Sequence, residues 1–210
     1  VFEELWDTTD LVTGFDGTGY IPKLLTKRDN CWTHTDLAPN KKGVHCYQTV
    51  VGLTTNSERT LVVYEGSNNL HEVYCNIKGL KGTKNWEKID PAYLEIIKDK
   101  KRILTIPAGS MAIWDSRTFH QNQYGKPASE ERLVQYVCML PKNSPLNTKA
   151  MQKKRRKYFD ERRTTSHWPY PMTVNGKQPQ TYGDASKRID YDTLRKPELD
   201  DLMSEIDKLL

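Results

Sequence analysis

The chain has 210 residues, of which 36% are hydrophobic and 28% are charged, and its formal net charge at neutral pH is +5. This length suffices for one domain with a sizeable core, and it requires no second domain. No apolar run approaches the roughly 20 residues of a membrane-spanning helix and no signal-peptide pattern is present, so the composition favours a soluble protein with much polar surface.

The cysteines indicate the compartment. Cys31, Cys46, Cys75 and Cys138 have neither C-x-x-C spacing nor a dense framework, and no Asn-x-Ser/Thr sequon occurs. We therefore expect an intracellular, cytoplasmic location, with a nuclear one left open, and we predict that the cysteines are small, buried apolar side chains.

Most of the first two thirds of the chain predicts short strands. Residues rich in Val, Ile, Tyr and Thr alternate with Gly- and Pro-containing turns. The predicted strands are Val44 to Leu53, Arg59 to Tyr64, Ile103 to Ile106, Met111 to Asp115 and Arg132 to Leu140. Asp90 before Pro91 predicts the start of a helix inserted among them, near residues 90–100. This order favours an antiparallel sandwich or barrel.

Beyond Pro141 the character of the sequence changes. Asn147 or Thr148 is predicted to cap a basic helix that runs to about Arg163. Residues 164–184 look irregular and offer Trp168, Tyr170 and Tyr182 as aromatic anchors for a segment that wraps the core. An apolar stripe then predicts an amphipathic C-terminal helix; it consists of Leu199, Leu202, Met203, Ile206, Leu209 and Leu210.

Three residues far apart in sequence form a candidate metal site. His34 and Asp36 are two residues apart, so on an extended chain they point the same way. His120, in a predicted turn after a strand that ends near Asp115, is the natural third ligand. Two histidines and one carboxylate on one face of a metal, with the other positions open, are typical of non-haem Fe(II) oxygenases. Zinc accepts the same ligands. Trp32 and Trp114 flank the site in sequence and are predicted to be core aromatics.

An arginine on the following strand points to an anion. Arg132 stands among apolar residues, and a buried guanidinium requires a negatively charged partner. Strand parity places Val134, Tyr136 and Cys138 on the same side as Arg132, which predicts that they line the interior. The alternative is an internal ion pair of this arginine with one of three acidic residues, namely Glu130, Glu131 and Asp115.

Together these residues resemble a known signature. His34-x-Asp36, His120, and Arg132 twelve residues later, are similar to the signature of the Fe(II)/2-oxoglutarate-dependent dioxygenases, and the surrounding sequence resembles the phytanoyl-CoA dioxygenase (PhyH-like) branch. The supporting phrases are Trp32-Thr33-His34-Thr35-Asp36, Val62-Val63-Tyr64-Glu65-Gly66-Ser67, Pro107-Ala108-Gly109-Ser110 and Trp114-Asp115-Ser116-Arg117. The similarity extends from about residue 30 to residue 141.

The resemblance implies a fold and an organisation of the chain. The fold is mainly β, a double-stranded β-helix (jelly-roll or cupin-like) with flanking α-helices. Residues 1–145 are expected to form this oxygenase core, with the helical insertion near 90–100. Residues 146–210 are expected to add the basic helix, the irregular wrap and the amphipathic helix, packed on the core.

The resemblance also implies an activity. Fe(II) held by His34, Asp36 and His120, with 2-oxoglutarate as cosubstrate and O2, would hydroxylate a C–H bond of a small or lipid-like substrate, releasing succinate and CO2. Arg132 would hold the distal carboxylate of 2-oxoglutarate, and Asn122 would contribute a polar contact to it. Gln48 is a weaker candidate for the pocket wall, because a polar strand residue can equally face solvent. Relatives that halogenate lack the carboxylate supplied here by Asp36, which favours hydroxylation.

Two other functions remain open from the sequence. One is a non-catalytic jelly-roll binding module that holds another metal or none and contacts nucleic acid or an anionic surface through the five consecutive basic residues 153–157. The other is an oxygenase that acts on protein or nucleic acid and uses the same basic helix for docking. A charge run is more often a solvated helix face, so the small-molecule oxygenase is preferred.

Overall fold

The structure, a computed structural model, describes residues 1–25, 32–174, 186 and 189–210. Contacts between residues divide the chain into two compact units, Thr18–Tyr136 and a second unit made of Val1–Gly17 with Val137–Leu210. The assignment of residues 1–145 to a core and of 146–210 to an appendage packed on it stays a prediction. Cys31 and the part of the predicted irregular wrap from 175 to 184 lie outside the described residues.

The secondary structure is mainly β, as predicted. The described strands are β1 (Leu11–Thr13), β2 (Thr18–Ile21), β3 (His34–Thr35), β4 (Tyr47–Gly52), β5 (Leu61–Tyr64), β6 (Glu87–Lys88), β7 (Lys101–Ile103), β8 (Met111–Asp115), β9 (His120–Asn122), β10 (Arg132–Val137) and β11 (Met139–Pro141). The α-helices are α1 (Phe2–Trp6), α2 (His71–Ile77), α3 (Pro91–Ile96), α4 (Lys149–Asp160) and α5 (Met203–Leu209). Within the described part of the chain, no helix has the length and apolarity needed to span a bilayer.

Two antiparallel sheets organise the unit Thr18–Tyr136. One has four strands in the order β2-β10-β4-β8, and the other has five in the order β6-β3-β9-β5-β7. From β3 to β5 and again from β8 to β10, successive strands alternate between the two sheets. This alternation makes neighbours of strands that are distant in sequence, and His34 on β3 is the register partner of His120 on β9.

Apolar side chains from the two sheets form a common core. Val50, Trp114 and Val134 come from the four-stranded sheet, and they cluster with Leu61 of the five-stranded sheet and with Ile106. The inward-facing side chains of both sheets are therefore removed from water, which is the main stabilising contribution to such a layered fold.

A second apolar cluster joins the five-stranded sheet to the helical insertion. It contains Tyr64, Tyr74, Cys75, Ile89, Ile97 and Phe119. Asp90 caps α3, as predicted, because its side chain accepts a hydrogen bond of 2.8 Å from the backbone N–H of Ala92. The insertion thus packs on the sheet that carries His34 and His120.

The elements differ from their predicted bounds in several places. The strand predicted from Ile103 to Ile106 lies further toward the N-terminus, as β7 (Lys101–Ile103). His120 begins strand β9 instead of lying in a turn, since it pairs with both β3 and β5. The predicted strand from Arg132 to Leu140 is two strands, β10 and β11. The stripe that begins at Leu199 becomes helical only over α5, preceded by a short 3-10 turn.

The second unit combines a small sheet with the C-terminal helices. β1 and β11 pair antiparallel, with Val12 opposite Leu140. Thr148 caps the N-terminus of α4 by accepting a hydrogen bond from the N–H of Met151, which selects between the two predicted caps. Trp168 and Tyr170 are buried, as expected of aromatic anchors.

The glycines Gly125 and Gly43 provide a test of backbone strain. Both have a positive φ, but a Cβ at Gly125 would lie 2.7 Å from the carbonyl oxygen of Glu58, whereas a Cβ at Gly43 would meet nothing within 4 Å. Both alanine substitutions incur the left-handed backbone penalty of about 1–2 kcal/mol, and only Gly125→Ala adds a steric clash with backbone. We expect Gly125→Ala to lower the free energy of unfolding in urea by clearly more than Gly43→Ala. Equal losses would contradict the clash.

Candidate metal centre

The structure brings His34, Asp36 and His120 together. One ligand atom from each lies within 4.8 Å of the others, and this is the one such group of His, Cys, Asp or Glu found in the described part of the chain. Oδ2 of Asp36 is 3.3 Å from Nε2 of His120 and 3.6 Å from Nε2 of His34. Donors bound at right angles to one ion at about 2.1 Å are about 3 Å apart, so these separations suit three ligands of a shared ion.

The hydrogen bonds of the two imidazoles leave their lone pairs facing the carboxylate. Nδ1 of His120 lies 2.9 Å from the carbonyl oxygen of Thr118, and Nδ1 of His34 lies 3.4 Å from that of Trp32. A carbonyl oxygen can only accept, so each Nδ1 carries the proton and each Nε2 presents a lone pair. Two lone pairs and a carboxylate then converge on one point, which is the donor arrangement of a cation site.

Burial favours the neutral form of His120. Its imidazole lies within the protein, and this desolvation lowers its pKa, as does the nearby His34. The carboxylate of Asp36 acts in the opposite direction, but the net shift is downward. A neutral imidazole is the form that binds a metal ion.

Gln48 fixes the carboxylate from the opposite sheet. Its Nε2 donates a hydrogen bond of 2.9 Å to Oδ2 of Asp36, and its side chain is buried. Gln48 lies on β4 in the four-stranded sheet, whereas Asp36 directly follows β3 of the five-stranded sheet. The structure therefore places Gln48 inside the molecule, in contact with a candidate ligand.

Arg132 faces the interior, and the described part of the chain offers it no acidic partner. Its side chain is buried, and its Nη2 donates hydrogen bonds to Oδ1 of Asn122 (2.9 Å) and to the hydroxyl of Tyr136 (3.2 Å). Among the described residues no carboxylate forms an ion pair with Arg132, and its Nε has no hydrogen-bond partner. Gly19 on β2 lies beside this side chain, because a Cβ there would be 3.2 Å from Nη1 of Arg132.

Of the three acidic residues predicted as alternative partners of Arg132, Glu131 is exposed and the other two are engaged elsewhere. The carboxylate of Glu130 accepts hydrogen bonds from the backbone N–H groups of Ser57, Glu58 and Arg59. Asp115 forms an ion pair with Arg117, and the distance between Oδ2 and Nη2 is 2.6 Å. The predicted side of the strand is confirmed for Val134, which is buried, and for Tyr136, which contacts Arg132.

Tryptophan rings flank the two histidines on both sides and form a row of aromatic rings with them. Trp114 packs on His120 with 5.2 Å between ring centroids and is buried, as predicted. On the other side, Trp32 lies 4.8 Å from His34 and Trp86 lies 6.3 Å from it. The prediction of a core position is wrong for Trp32, because almost half of its surface is exposed. Trp86 was missed altogether, since no sequence pattern links it to the ligands.

The other histidines have structural contacts. His71 is buried, and its Nε2 lies 3.3 Å from the carbonyl oxygen of Leu37. His45 contacts the carbonyl of Lys42 at 2.9 Å, and His167 contacts the carboxylate of Asp16.

Most of the basic segment 153–157 is occupied within its own unit. Lys154 donates to the carbonyl oxygen of Met172, and Arg155 is fully buried and donates to the carbonyl oxygens of Leu210 and Pro169. Burial lowers the pKa of Arg155 to about 10. Arg156 forms ion pairs with Asp207 and Asp160, and Lys157 with Glu161. The sequence pattern therefore overstates the free positive charge of this helix.

Comparison with known proteins gives partial similarities. No protein-family model matches the chain. "Ava biosynthesis cluster protein O" from Aspergillus versicolor is 26% identical over 184 residues, which cover 80% of this chain and 58% of that protein. The chain thus spans less than two thirds of the length of this relative.

Two solved structures are similar over part of the fold. One is EctD from S. alaskensis, solved with 2-oxoglutarate and 5-hydroxyectoine, with a TM-score of 0.42 and 12% identity over 62% of this chain and 45% of EctD. The other is EvdMO1, with a TM-score of 0.36 and 16% identity over 64% of this chain and 26% of EvdMO1.

Replacing Gln48 tests its contact with the carboxylate. Gln48→Leu keeps the size of the side chain but removes the donor to Asp36, so we expect the affinity for Mn(II), measured by electron paramagnetic resonance, to fall about 10- to 100-fold. Gln121→Leu is the matched control, because it also breaks one side-chain hydrogen bond, from Thr33, without touching a candidate ligand. An unchanged affinity in Gln48→Leu would show that the carboxylate needs no such support.

His71 should make the stability of the metal-free protein depend on pH. Burial lowers its pKa in the folded state, although the carbonyl of Leu37 opposes this shift. Below an ordinary histidine pKa of about 6.5 the unfolded chain binds a proton that folded His71 resists, so stability falls on acidification. We expect His71→Asn to reduce the slope of unfolding free energy against pH between about 6.5 and 5. A slope that stays the same in His71→Asn would contradict a pKa of His71 lowered by burial.

Proposed function

We propose that the protein is an Fe(II)- and 2-oxoglutarate-dependent dioxygenase that hydroxylates a C–H bond of a small or lipid-like substrate, with release of succinate and CO2. One observation carries this proposal. A three-donor site and a buried guanidinium, to which none of the described carboxylates is paired, lie on the inner faces of the same two sheets. The first suits a metal with open positions, and the second suits a dicarboxylate.

The donor set fits ferrous iron. His34, Asp36 and His120 would occupy one face of the ion and leave the remaining positions for the cosubstrate and O2. Bound iron would supply the redox chemistry that couples O2 to the decarboxylation of 2-oxoglutarate and to substrate oxidation. The chain supplies position, through the Gln48 contact to Asp36 and the backbone contacts of both imidazoles.

The surroundings of Arg132 fit the far carboxylate of 2-oxoglutarate. A buried cation with only neutral partners is costly, and a carboxylate that accepts two charge-assisted hydrogen bonds would offset that cost. Asn122 is two residues after His120 on β9, so both side chains project from the same face of the strand. The hydrogen bond between Asn122 and Arg132 therefore connects the anion site to the strand that carries a metal ligand.

The alternation of strands between the two sheets supports a double-stranded β-helix. In a jelly roll, successive strands also belong to opposite sheets, with the core and any bound ligand between them. We assign the unit Thr18–Tyr136 to this fold and its PhyH-like branch on that basis and on the sequence motifs.

The competing functions receive less support. A zinc site or a metal-free binding module gives no role to the buried guanidinium of Arg132. Docking of nucleic acid or an anionic surface through residues 153–157 would need free cations, but Lys154, Arg155, Arg156 and Lys157 already have partners within the second unit.

Anaerobic addition of Fe(II) and 2-oxoglutarate to metal-free protein tests the proposal without knowledge of the substrate. We expect a visible charge-transfer band of the iron chelate, and on exposure to O2 a slow release of succinate. Asp36→Ala and His120→Ala should abolish both signals, because each removes one of three ligands. Full signals in both variants would refute the ligand assignment.

Arg132→Met tests whether binding of the cosubstrate depends on residues that binding of the metal does not need. The variant removes the buried charge, so we expect 2-oxoglutarate affinity to fall about a hundredfold while Mn(II) affinity is kept. Arg102→Met is the matched control, since Arg102 is exposed and pairs with Glu65 at the surface. Unchanged 2-oxoglutarate affinity in Arg132→Met would show that the anion binds elsewhere.

A further inference from the structure

Two exposed tryptophans form one end of the ring row beside the candidate metal centre. Trp32 and Trp86 are 5.1 Å apart and nearly perpendicular, at 82°. The ring of Trp86 is close to parallel with that of His34, at 27°. His34 in turn lies 4.3 Å from His120. The indoles are thus one ring away from the second histidine ligand.

Exposure decreases along this row toward the interior. Trp32 and Trp86 are 45% and 42% exposed, whereas the side chain of His34 is 15% exposed and that of His120 only 6%. The solvent-facing end of the row is therefore the indole pair. A substrate that approaches the metal from this end meets two aromatic faces first.

The pairing of two short strands explains why the indoles meet beside His34. β3 and β6 are antiparallel, with His34 opposite Lys88 and Thr35 opposite Glu87. Trp32 lies two residues before His34 and Trp86 directly precedes β6, so both indoles stand next to this pair of strands, where they contact each other and the ring of His34. Large exposed aromatics are costly in water, and a matched pair beside a reactive site is typical of a ligand platform.

The charge around the platform limits what it can bind. Residues 81–88 contain Lys81, Lys84 and Lys88 against a single acid, Glu87. Lys88 is exposed, and the described contacts give its ammonium group no partner. Indole faces attract cations in general, but these lysines oppose a cationic ligand here.

We propose that Trp32 and Trp86 form a subsite that holds a flat, conjugated ring of the organic substrate, uncharged or anionic, beside His34. This inference rests on the proposed function, because only an oxygenase would make the bound molecule a substrate. The binding site itself depends only on the two indoles. It narrows the substrate class from small or lipid-like molecules to those that carry a planar ring. The two indoles would hold that ring next to the imidazole of His34.

Three probes of similar size separate ring stacking from general apolar contact and from charge. They are 2-naphthalenemethanol, cyclohexylmethanol and 2-naphthalenemethylammonium, each titrated into metal-free protein by ligand-observed NMR. We expect the naphthalene alcohol to bind more tightly than the saturated alcohol and than the cation. Trp32→Leu and Trp86→Leu should each weaken its binding by roughly three- to tenfold, and Trp86→Phe should retain most of it.

Tyr20→Leu is the matched control, because Tyr20 is an exposed aromatic on β2 of the same unit. Its affinity for the probe should equal that of the unchanged protein, and circular dichroism should show that all variants are folded. Any of four results would overturn the proposal: the saturated alcohol binds as tightly as the naphthalene alcohol, the cation binds more tightly, the naphthalene alcohol does not bind, or both leucine variants bind it as tightly as the unchanged protein.

The chelate experiment keeps the two proposals distinguishable. If the charge-transfer band forms and the naphthalene alcohol does not bind, the subsite is refuted while the oxygenase assignment stands. If the probe binds through the indoles but no band forms, the oxygenase assignment fails, and the indole pair remains an aromatic-binding site.

Discussion

The structure depends on one electrostatic constraint: three electron-pair donors and a positive charge lie between two sheets. His34, Asp36 and His120 direct the three donors at one point, and the hydrogen-bond partners of Arg132 among the described residues are neutral. Groups of this kind are costly to remove from water unless a ligand compensates them. A cation for the three donors and an anion for the guanidinium would resolve both costs together, as an iron chelate of 2-oxoglutarate would.

Hydrogen bonds between the two sheets hold these groups in place. Gln48 reaches from β4 to Asp36, and Arg132 reaches from β10 to Asn122 on β9. The first contact joins β4 to the residue that directly follows β3, and the second joins β10 to β9, so the packing of one sheet on the other sets the geometry of the site. The apolar core that contains Val50 and Val134 therefore contributes to function by keeping the sheets in register.

The site has a buried side and a solvent-exposed side. Trp114 encloses His120 within the core, whereas Trp32 and Trp86 stand beside His34 at the surface. A dry interior strengthens the electrostatic interactions of the site, and an aromatic entrance can select the substrate. By contrast, most of the basic side chains of helix α4 form hydrogen bonds or ion pairs within their own unit.

The sequence by itself determined the local features: mainly β structure, the cap at Asp90, the parity that places His34 beside Asp36, and the inward side of the strand that begins at Arg132. Each of these follows from the spacing of neighbouring residues. Only the tertiary structure decided that His120 is the register partner of His34, that Gln48 contacts Asp36, and that Trp86 joins Trp32 at the surface. These pairs join strands 12 to 86 residues apart, and their proximity depends on how the strands alternate between sheets, which no local pattern encodes.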